Sequence, residues 1–237
     1  MKEIKGDTYK TEDQRKEVER EIKLLEDLDH PHVIRYFTSF TENNNFYIVT
    51  EYINGGSIDN LIKKNILQKK SFDEKVLWEF LIQILSGLLY LHETKKIIHR
   101  DIKPDNLFLD FDGNIKISDF GISAINKENA EDLLKCHGTM IGPIQFMSPE
   151  MGLRQTYDFK SDIYMLGLTF FMMMSNTLPE KKLDLGPIII PVKDQNAKMP
   201  ESYSETLRNF VQKLLSKYEE RPTTKRAYSE SYYFLFI

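Results

Sequence analysis

Residues 99–106 read His-Arg-Asp-Ile-Lys-Pro-Asp-Asn, and residues 119–121 read Asp-Phe-Gly. Between these two stretches, the short apolar runs Leu107–Leu109 and Ile115–Ile117 flank Asp112-Gly113, a pair that favours a tight turn. The pattern predicts a β-hairpin that begins right after the first stretch and ends right before the second. Such a hairpin would bring the polar residues on either side of it to the same end.

Four side chains at that end of the hairpin suit the chemistry of a hard cation and of phosphate. They are Asp101, Lys103, Asn106 and Asp119. Mg²⁺ prefers oxygen ligands and is usually held by one or two carboxylates together with substrate phosphates. Asp and Asn also commonly cap turns without any further role. Against that alternative, the four fixed positions of His-Arg-Asp-x-x-x-x-Asn would arise by chance in about one in a thousand chains of this size.

The composition excludes several classes of protein. The chain has 237 residues, of which 41% are hydrophobic, and a net charge of −4. Abundant large apolar residues and a low net charge exclude intrinsic disorder, and the length is sufficient for a buried core. Cys136 is the only cysteine, so a disulfide scaffold is excluded. The mild acidity argues against binding to nucleic acid, which usually requires a basic excess.

No segment of the sequence is predicted to be a leader or a membrane span. The N-terminus lacks the apolar core of a signal peptide. The most apolar stretch is Ile163–Met174, and its length of about 12 residues is well below the roughly 20 that a bilayer requires. We therefore predict that it is a buried core helix in which methionines fill gaps. We expect no membrane insertion and an intracellular, cytoplasmic location.

The N-terminal quarter of the chain has the pattern of strands around one helix. Residues 1–5 are predicted to be the end of a strand, and residues 12–28 to be an amphipathic helix. The runs Val33–Phe40 and Phe46–Tyr52 are joined by a polar turn, which predicts a second hairpin. Gly55-Gly56 then interrupts the pattern, and helical periodicity dominates the rest of the chain.

The larger part of the chain is predicted to be mainly helical. Ser71 and Glu74 have the spacing of a capping box and would begin a long helix. Further helices are predicted at about 160–174 and 203–217. Residues 119–150 have no sustained periodicity, and so long a connection is usually functional.

The His-Arg-Asp stretch, the Asp-Phe-Gly and Ser148-Pro149-Glu150 together resemble the motifs of a eukaryotic protein kinase of the serine/threonine type, NIMA-related or Ste20-like. The resemblance implies that Asp101 accepts or orients the proton of a substrate hydroxyl and that Lys103 neutralises charge on the transferred phosphoryl group. It implies that Asn106 and Asp119 hold Mg²⁺. ATP and a protein substrate are the partners that it implies, and the oligomeric state stays open.

Further positions fit the same resemblance and would form the nucleotide site. Lys2 and Glu21 resemble the lysine–glutamate bridge that positions the phosphates. Residues 46–53 resemble the strand and hinge beside the adenine, with Thr50 as the gatekeeper. The backbones of Glu51 and Ile53 would then bond the base.

Three more residues would shape the pocket and brace the larger lobe. Phe108 would form part of the pocket floor, although a plain role in the hairpin core is also compatible with its position. Asp162 would brace the backbone of the His-Arg-Asp turn. Arg221 would pair with Glu150, which we interpret as an architectural contact.

The resemblance implies an α+β fold with two lobes over residues 1–237. Residues 1–53 would form a truncated, β-rich N-lobe with the hinge, and residues 54–237 a larger, mainly helical C-lobe. Only Met1 precedes Lys2, so the glycine-rich loop of such kinases is absent from the sequence. We expect this to weaken ATP affinity and transfer, and a fragment of an active kinase or an impaired, scaffold-like relative remain alternatives.

The segment after the Asp-Phe-Gly contains the remaining expectations. Pro143 stands where serine/threonine kinases usually have a threonine, which affects the docking of substrate. Arg100 is the type of arginine that pairs with a phosphorylated activation loop, for which Ser123 and Thr139 are the candidate hydroxyls. Cys136-His137 has too few spaced ligands for a zinc site, and so does His30-Pro31-His32.

Overall fold

The computed structural model describes residues 1–4, 12–43, 45–120, 124–125, 144–176 and 199–235. Within these ranges the first part of the chain is a small antiparallel sheet with one helix, and the remainder is mainly helical. The α+β fold class is therefore confirmed. The boundary between two lobes near residue 53 stays a prediction.

The small sheet contains three strands, β1 (Lys2–Ile4), β2 (Tyr36–Glu42) and β3 (Asn45–Thr50), in the order β1-β3-β2. β3 is the central strand and pairs antiparallel with both neighbours, so that Lys2 lies opposite Ile48. Helix α1 (Glu12–Glu26) precedes β2 and contacts it. The predicted strand, helix and hairpin are all confirmed.

Among the residues described, the helical part contains six further α-helices and two pairs of short strands. The helices are α2 (Ile58–Gln68), α3 (Glu74–Leu89), α4 (Pro149–Gly152), α5 (Lys160–Ser175), α6 (Glu205–Leu214) and α7 (Thr224–Leu235). The strands are β4 (Ile97–Ile98), which pairs with β7 (Ala124–Ile125), and β5 (Leu107–Leu109), which pairs with β6 (Ile115–Ile117). The β5–β6 pair is the hairpin that the sequence predicts between the two polar stretches.

Two apolar helices form the centre of the helical part. α5 is buried along almost its whole length, and its four methionines lie in the hydrophobic core, as predicted. Gly167 lets α6 approach α5, because a Cβ atom there would lie 2.9 Å from the side chain of Leu215. α3 packs against α7. These contacts remove most of the apolar surface of α3 and α5 from water, which is the main stabilising term for such helices.

The predicted capping box at the start of α3 is wrong. Asp73 is the N-cap residue, and its side chain accepts a hydrogen bond of 2.8 Å from the backbone N–H of Lys75. Glu74 turns instead to the start of α6, where Ser204 donates to it from both its backbone and its hydroxyl. A capping box does occur at α2, between Ser57 and Asn60. The tertiary contact with Ser204 outweighed the local pattern.

α3 continues into a single π-helical turn at Tyr90–Thr94. The combined helix of 21 residues is long and apolar enough to cross a membrane by composition alone. Just over half of its most apolar stretch is buried inside the molecule, and the core helix of a soluble protein can have the same length and composition. The absence of membrane insertion therefore stays a prediction.

Candidate active site

Three of the predicted site residues lie in direct contact just before β5. The Nζ atom of Lys103 lies 2.9 and 2.7 Å from the two carboxylate oxygens of Asp101. The side-chain amide of Asn106 donates to the backbone oxygen of Asp101 at 2.9 Å and to its Oδ2 atom at 2.7 Å. Asp101 is only 6% exposed. The ammonium group of Lys103 and the amide of Asn106 thus hold this carboxylate in one orientation.

Two hydrogen bonds from the backbone just before Asp101 to the side chain of Asp162 in α5 hold this part of the chain in place. The Oδ2 atom of Asp162 accepts from the backbone N–H of His99, and Oδ1 accepts from that of Arg100, each at 2.8 Å. Arg100 has a φ of +71°, a left-handed conformation that such contacts must stabilise. The predicted brace at Asp162 is confirmed.

The brace is charged at neutral pH. Burial alone would raise the pKa of Asp162, but the hydrogen bonds from the His92 side chain and from the Arg100 N–H hold that pKa below its ordinary value. Burial lowers the pKa of His99, whose Nδ1 atom accepts from the backbone N–H of Asp101 at 3.2 Å. A neutral His99 ring with a proton on Nε2 can also donate to the backbone oxygen of Ser118, 3.1 Å away.

A cavity of about 250 Å³ lies between the small sheet and the β5–β6 hairpin. It combines an apolar wall with a polar end, which suits a flat heterocycle joined to phosphates. Its polar lining residues are Lys2, Thr50, Asn106, Ser118 and Asp119, and its apolar lining residues are Leu25, Ile34, Ile48, Phe108 and Phe120.

Lys2 and Asp119 form an ion pair at the polar end of this cavity. The Nζ atom of Lys2 lies 3.4 Å from Oδ1 of Asp119, and the two side chains are 47% and 48% exposed. Asp119 has a φ of +63°, again a left-handed conformation. Strained backbone at a cavity lined by charged groups is typical of a functional site.

An ion pair that the sequence predicts joins Glu150 in α4 to Arg221. The guanidinium of Arg221 contacts both carboxylate oxygens of Glu150, at 2.6 and 3.2 Å, and both side chains are buried. Burial would raise the pKa of Glu150, but Arg221 holds it below the ordinary value of 4.5. The predicted partnership is confirmed.

Comparison with known proteins adds the family. A model of the protein kinase domain matches residues 1–233. The chain belongs to the protein kinase family. It is 33% identical over 201 residues to the probable serine/threonine-protein kinase nek2 of Dictyostelium discoideum, and 35% identical over 199 residues to the human serine/threonine-protein kinase Nek11. Over 214 residues it is 35% identical to the serine/threonine-protein kinase dst1 of Dictyostelium discoideum.

These matches cover most of this chain and a smaller share of each relative. They include 83%, 83% and 89% of the chain but only 47%, 30% and 28% of nek2, Nek11 and dst1. The chain thus spans less than half the length of these relatives. The predicted resemblance to serine/threonine kinases, NIMA-related and Ste20-like ones among them, is confirmed.

The residues predicted to form the hinge follow the cavity wall without lining the cavity themselves. Thr50 lines the cavity, whereas Glu51 and Ile53 do not. The side chain of Glu51 accepts from the backbone N–H of Arg35 at 2.8 Å and from Nζ of Lys116 at 2.9 Å. These two contacts join Glu51 to the residue before β2 and to β6.

The chain after the hinge docks closely on β5 and thereby places Phe108 in the cavity. The backbone N–H of Gly55 donates to the oxygen of Leu109 at 2.9 Å, and Leu109 donates back to Gly56 at the same distance. A Cβ atom at Gly55 would lie 2.5 Å from the Leu109 oxygen, so only glycine permits this approach. Phe108 thus serves both the cavity and the hairpin.

The donor set at the polar end fits Mg²⁺. The two hydrogen bonds to Asp101 both use the side-chain nitrogen of Asn106, so its amide oxygen is the atom that could bind a cation. The carboxylate of Asp119 is half exposed in the same cavity. In the described part of the chain, no three His, Cys, Asp or Glu side chains cluster to hold a metal by themselves. An incomplete protein set that substrate phosphates complete is the usual arrangement for Mg²⁺.

Some predicted positions cannot be compared with the structure. Glu21 lies in α1, but its side chain is outside the described residues. The positions predicted for substrate docking and phosphorylation are also outside them: Pro143, Ser123 and Thr139. So is Cys136-His137.

Two residues that contact predicted site residues were not identified from the sequence: Lys116, which pairs with Glu51, and His92, which contacts Asp162. Lys116 gave no signal, because a lysine in a short strand is common. His92 is buried in the π-helical turn and contacts Asp162 and Thr224, which lie 70 and 132 residues further along the chain. The sequence around His92 gave no signal either, because the polar residues Glu93 and Thr94 follow it directly.

Proposed function

We propose that this kinase domain transfers the γ-phosphoryl group of ATP, with Mg²⁺, to serine and threonine hydroxyls of proteins. The observation that carries the proposal is the contact of Asp101 with Lys103 and Asn106 beside the cavity that contains Lys2 and Asp119. Phosphoryl transfer depends mainly on positioning and on electrostatic stabilisation, and this arrangement supplies both.

Asp101 would orient the attacking hydroxyl and accept its proton. Its carboxylate is held by Lys103 and Asn106, so little reorientation is required when a substrate arrives. Lys103 also carries a positive charge to within reach of the transferred group. A lysine at this position resembles the serine/threonine type of kinase rather than the tyrosine type.

The cavity residues would hold the nucleotide. Lys2 would contact its phosphates, with Glu21 as the partner of Lys2 that the family resemblance implies. Asn106 and Asp119 would hold the cation, which when bound supplies positive charge that neutralises the phosphate oxygens. Phe108 would pack under the base, and the backbones of Glu51 and Ile53 would bond its edge.

The partners follow from the same proposal. The substrates would be proteins rather than nucleic acids, in line with the net charge of −4. We also propose an intracellular, cytoplasmic location. The two lobes would divide near residue 53, where the hinge leaves the small sheet.

The experiment that tests this proposal compares the full chain with Asp101→Asn. The assay measures transfer of radioactive phosphate from Mg²⁺–ATP to a mixed protein substrate, followed by phosphoamino acid analysis. We expect phosphoserine and phosphothreonine, and a rate that is lower by about 10²- to 10⁴-fold in the variant. Asp112→Asn is the matched control, because Asp112 is exposed in the turn of the same hairpin.

Equal transfer by the wild type and Asp101→Asn would refute the assigned role of Asp101. No transfer by a folded wild-type chain would refute the proposed activity itself. Phosphotyrosine as the main product would refute the serine/threonine assignment.

A further inference from the structure

His92 lies in the π-helical turn that ends α3 and joins two distant parts of the chain. Its Nε2 atom is 2.8 Å from Oδ2 of Asp162, and its Nδ1 atom is 2.6 Å from Oγ1 of Thr224. All three side chains are almost completely buried. The ring of Phe159 packs on the imidazole, with 4.6 Å between the ring centroids. This chain of contacts is therefore shielded from water.

The direction of the hydrogen bonds follows from the chemistry of the partners. The ionised carboxylate of Asp162 can only accept, so Nε2 of His92 must carry a proton and donate it. Nδ1 then faces the hydroxyl of Thr224, which can donate to a neutral ring or accept from a protonated one. Thr224 thus holds the ring in the orientation and tautomer in which Nε2 points at Asp162.

Asp162 transmits this constraint to the catalytic loop. Its Oδ2 atom accepts from Nε2 of His92 and from the backbone N–H of His99, both at 2.8 Å. Because one oxygen serves both donors, a displaced imidazole would draw that oxygen away from the His99 N–H. Asp101 lies only two residues after His99, so the effect would reach the carboxylate that we propose to be catalytic.

We propose that Thr224 is a positioning residue, which acts through His92 and Asp162 on the backbone that carries Asp101. Thr224 is the first residue of α7, the helix that packs against α3. The C-terminal helix therefore contributes a specific polar contact to the catalytic loop in addition to its apolar packing. The consequence for phosphoryl transfer rests on the proposed function, whereas the effect on the loop does not.

Three variants of the full chain test this proposal. Thr224→Val removes the hydroxyl with little change in shape, and Thr224→Ser retains it. Thr223→Val is the matched control, because Thr223 is exposed at the adjacent position and its hydroxyl accepts only a local bond, 3.3 Å from the backbone N–H of Arg226. Thermal unfolding identifies any variant that does not fold, in which case Thr224→Cys serves as the second variant without the hydroxyl.

The first measurement is hydrogen exchange of the backbone amides of His99 and Arg100, which requires no activity. Thr224→Val should accelerate exchange at both amides by about tenfold, and Thr224→Ser and Thr223→Val should leave it near the wild-type rate. The ¹⁵N chemical shifts of the His92 ring should change only in Thr224→Val. Unchanged exchange and ring shifts in a folded Thr224→Val chain would overturn the proposal.

The second measurement is the steady-state kinetics of transfer. We expect kcat to fall about tenfold in Thr224→Val with KM for ATP unchanged, which lies within the hundredfold that a displacement of about 1 Å can cost. Thr224→Ser should restore kcat. A rise in KM without a fall in kcat would overturn the positioning role. An inactive wild type would refute the proposed function, and the exchange data would still decide the role of Thr224.

Discussion

The buried ion pair of Arg221 and Glu150 differs from the exposed pair of Lys2 and Asp119 at the polar end of the cavity. The side chains of Arg221 and Glu150 are 0% and 6% exposed, and their atoms approach to 2.6 Å. Lys2 and Asp119 are each about half exposed and lie 3.4 Å apart. A buried charge that loses its partner is very costly, whereas an exposed pair contributes little to stability. The buried pair therefore maintains the architecture, whereas the exposed pair can rearrange when a ligand enters the cavity.

The largest expected loss of stability, which tests the contrast between the two ion pairs, is that of Arg221→Met. The change leaves the Glu150 carboxylate buried without its cation, so the free energy of unfolding should fall by about 3–5 kcal/mol. Denaturant unfolding monitored by tryptophan fluorescence measures it. The double variant Arg221→Met with Glu150→Leu should recover much of the loss, because no unpaired charge remains. A loss below about 1 kcal/mol in the single variant would contradict the contrast drawn between the two pairs.

An intermediate effect is expected at His30, which is half buried. Burial, with the charges of His32 and Lys116, lowers the pKa of His30 from its ordinary 6.5 to about 4. Between these values the unfolded chain binds a proton that the folded chain does not, so the protein loses stability as the pH falls from 6.5 to 4.

His30→Gln should make this pH dependence shallower. The measurement is the denaturant midpoint at several pH values between 6.5 and 4. Part of the slope should remain, because burial also lowers the pKa values of His32 and His99. An identical slope in the variant and the wild type would contradict the shift assigned to His30.

The smallest effect on stability, less than about 1 kcal/mol, is expected for Lys2→Met. The same change should weaken the binding of ATP about tenfold, which corresponds to about 1.4 kcal/mol, because the phosphates lose a cation. Titration with a fluorescent ATP analogue measures the dissociation constant. Lys75→Met is the control, since Lys75 is an exposed lysine that only approaches Glu79 on its own helix. An unchanged dissociation constant in Lys2→Met would contradict the contact that we propose between Lys2 and the phosphates of ATP.

Residues that are close in sequence were the most predictable. Asp101, Lys103 and Asn106 fall within six positions, and the hairpin with Asp112-Gly113 returns the chain to Asp119. Local turn chemistry and alternating apolar residues therefore predicted both the elements and the group of polar side chains. The same local reasoning failed at Ser71, where Asp73 is the cap and Glu74 bonds a residue 130 positions away.

The sequence by itself determined the family, both hairpins and the helices α1, α3, α5 and α6, and it predicted the residues that we propose carry the chemistry, because motifs and periodicity are local properties of the chain. Only the tertiary structure decided how Asp162, the predicted brace of the loop around Asp101, is itself held. His92, Asp162 and Thr224 come from three separate helical segments, and Lys116 reaches Glu51 from another strand. Such contacts depend on how the elements pack, and burial in that packing is what makes each of these polar contacts specific.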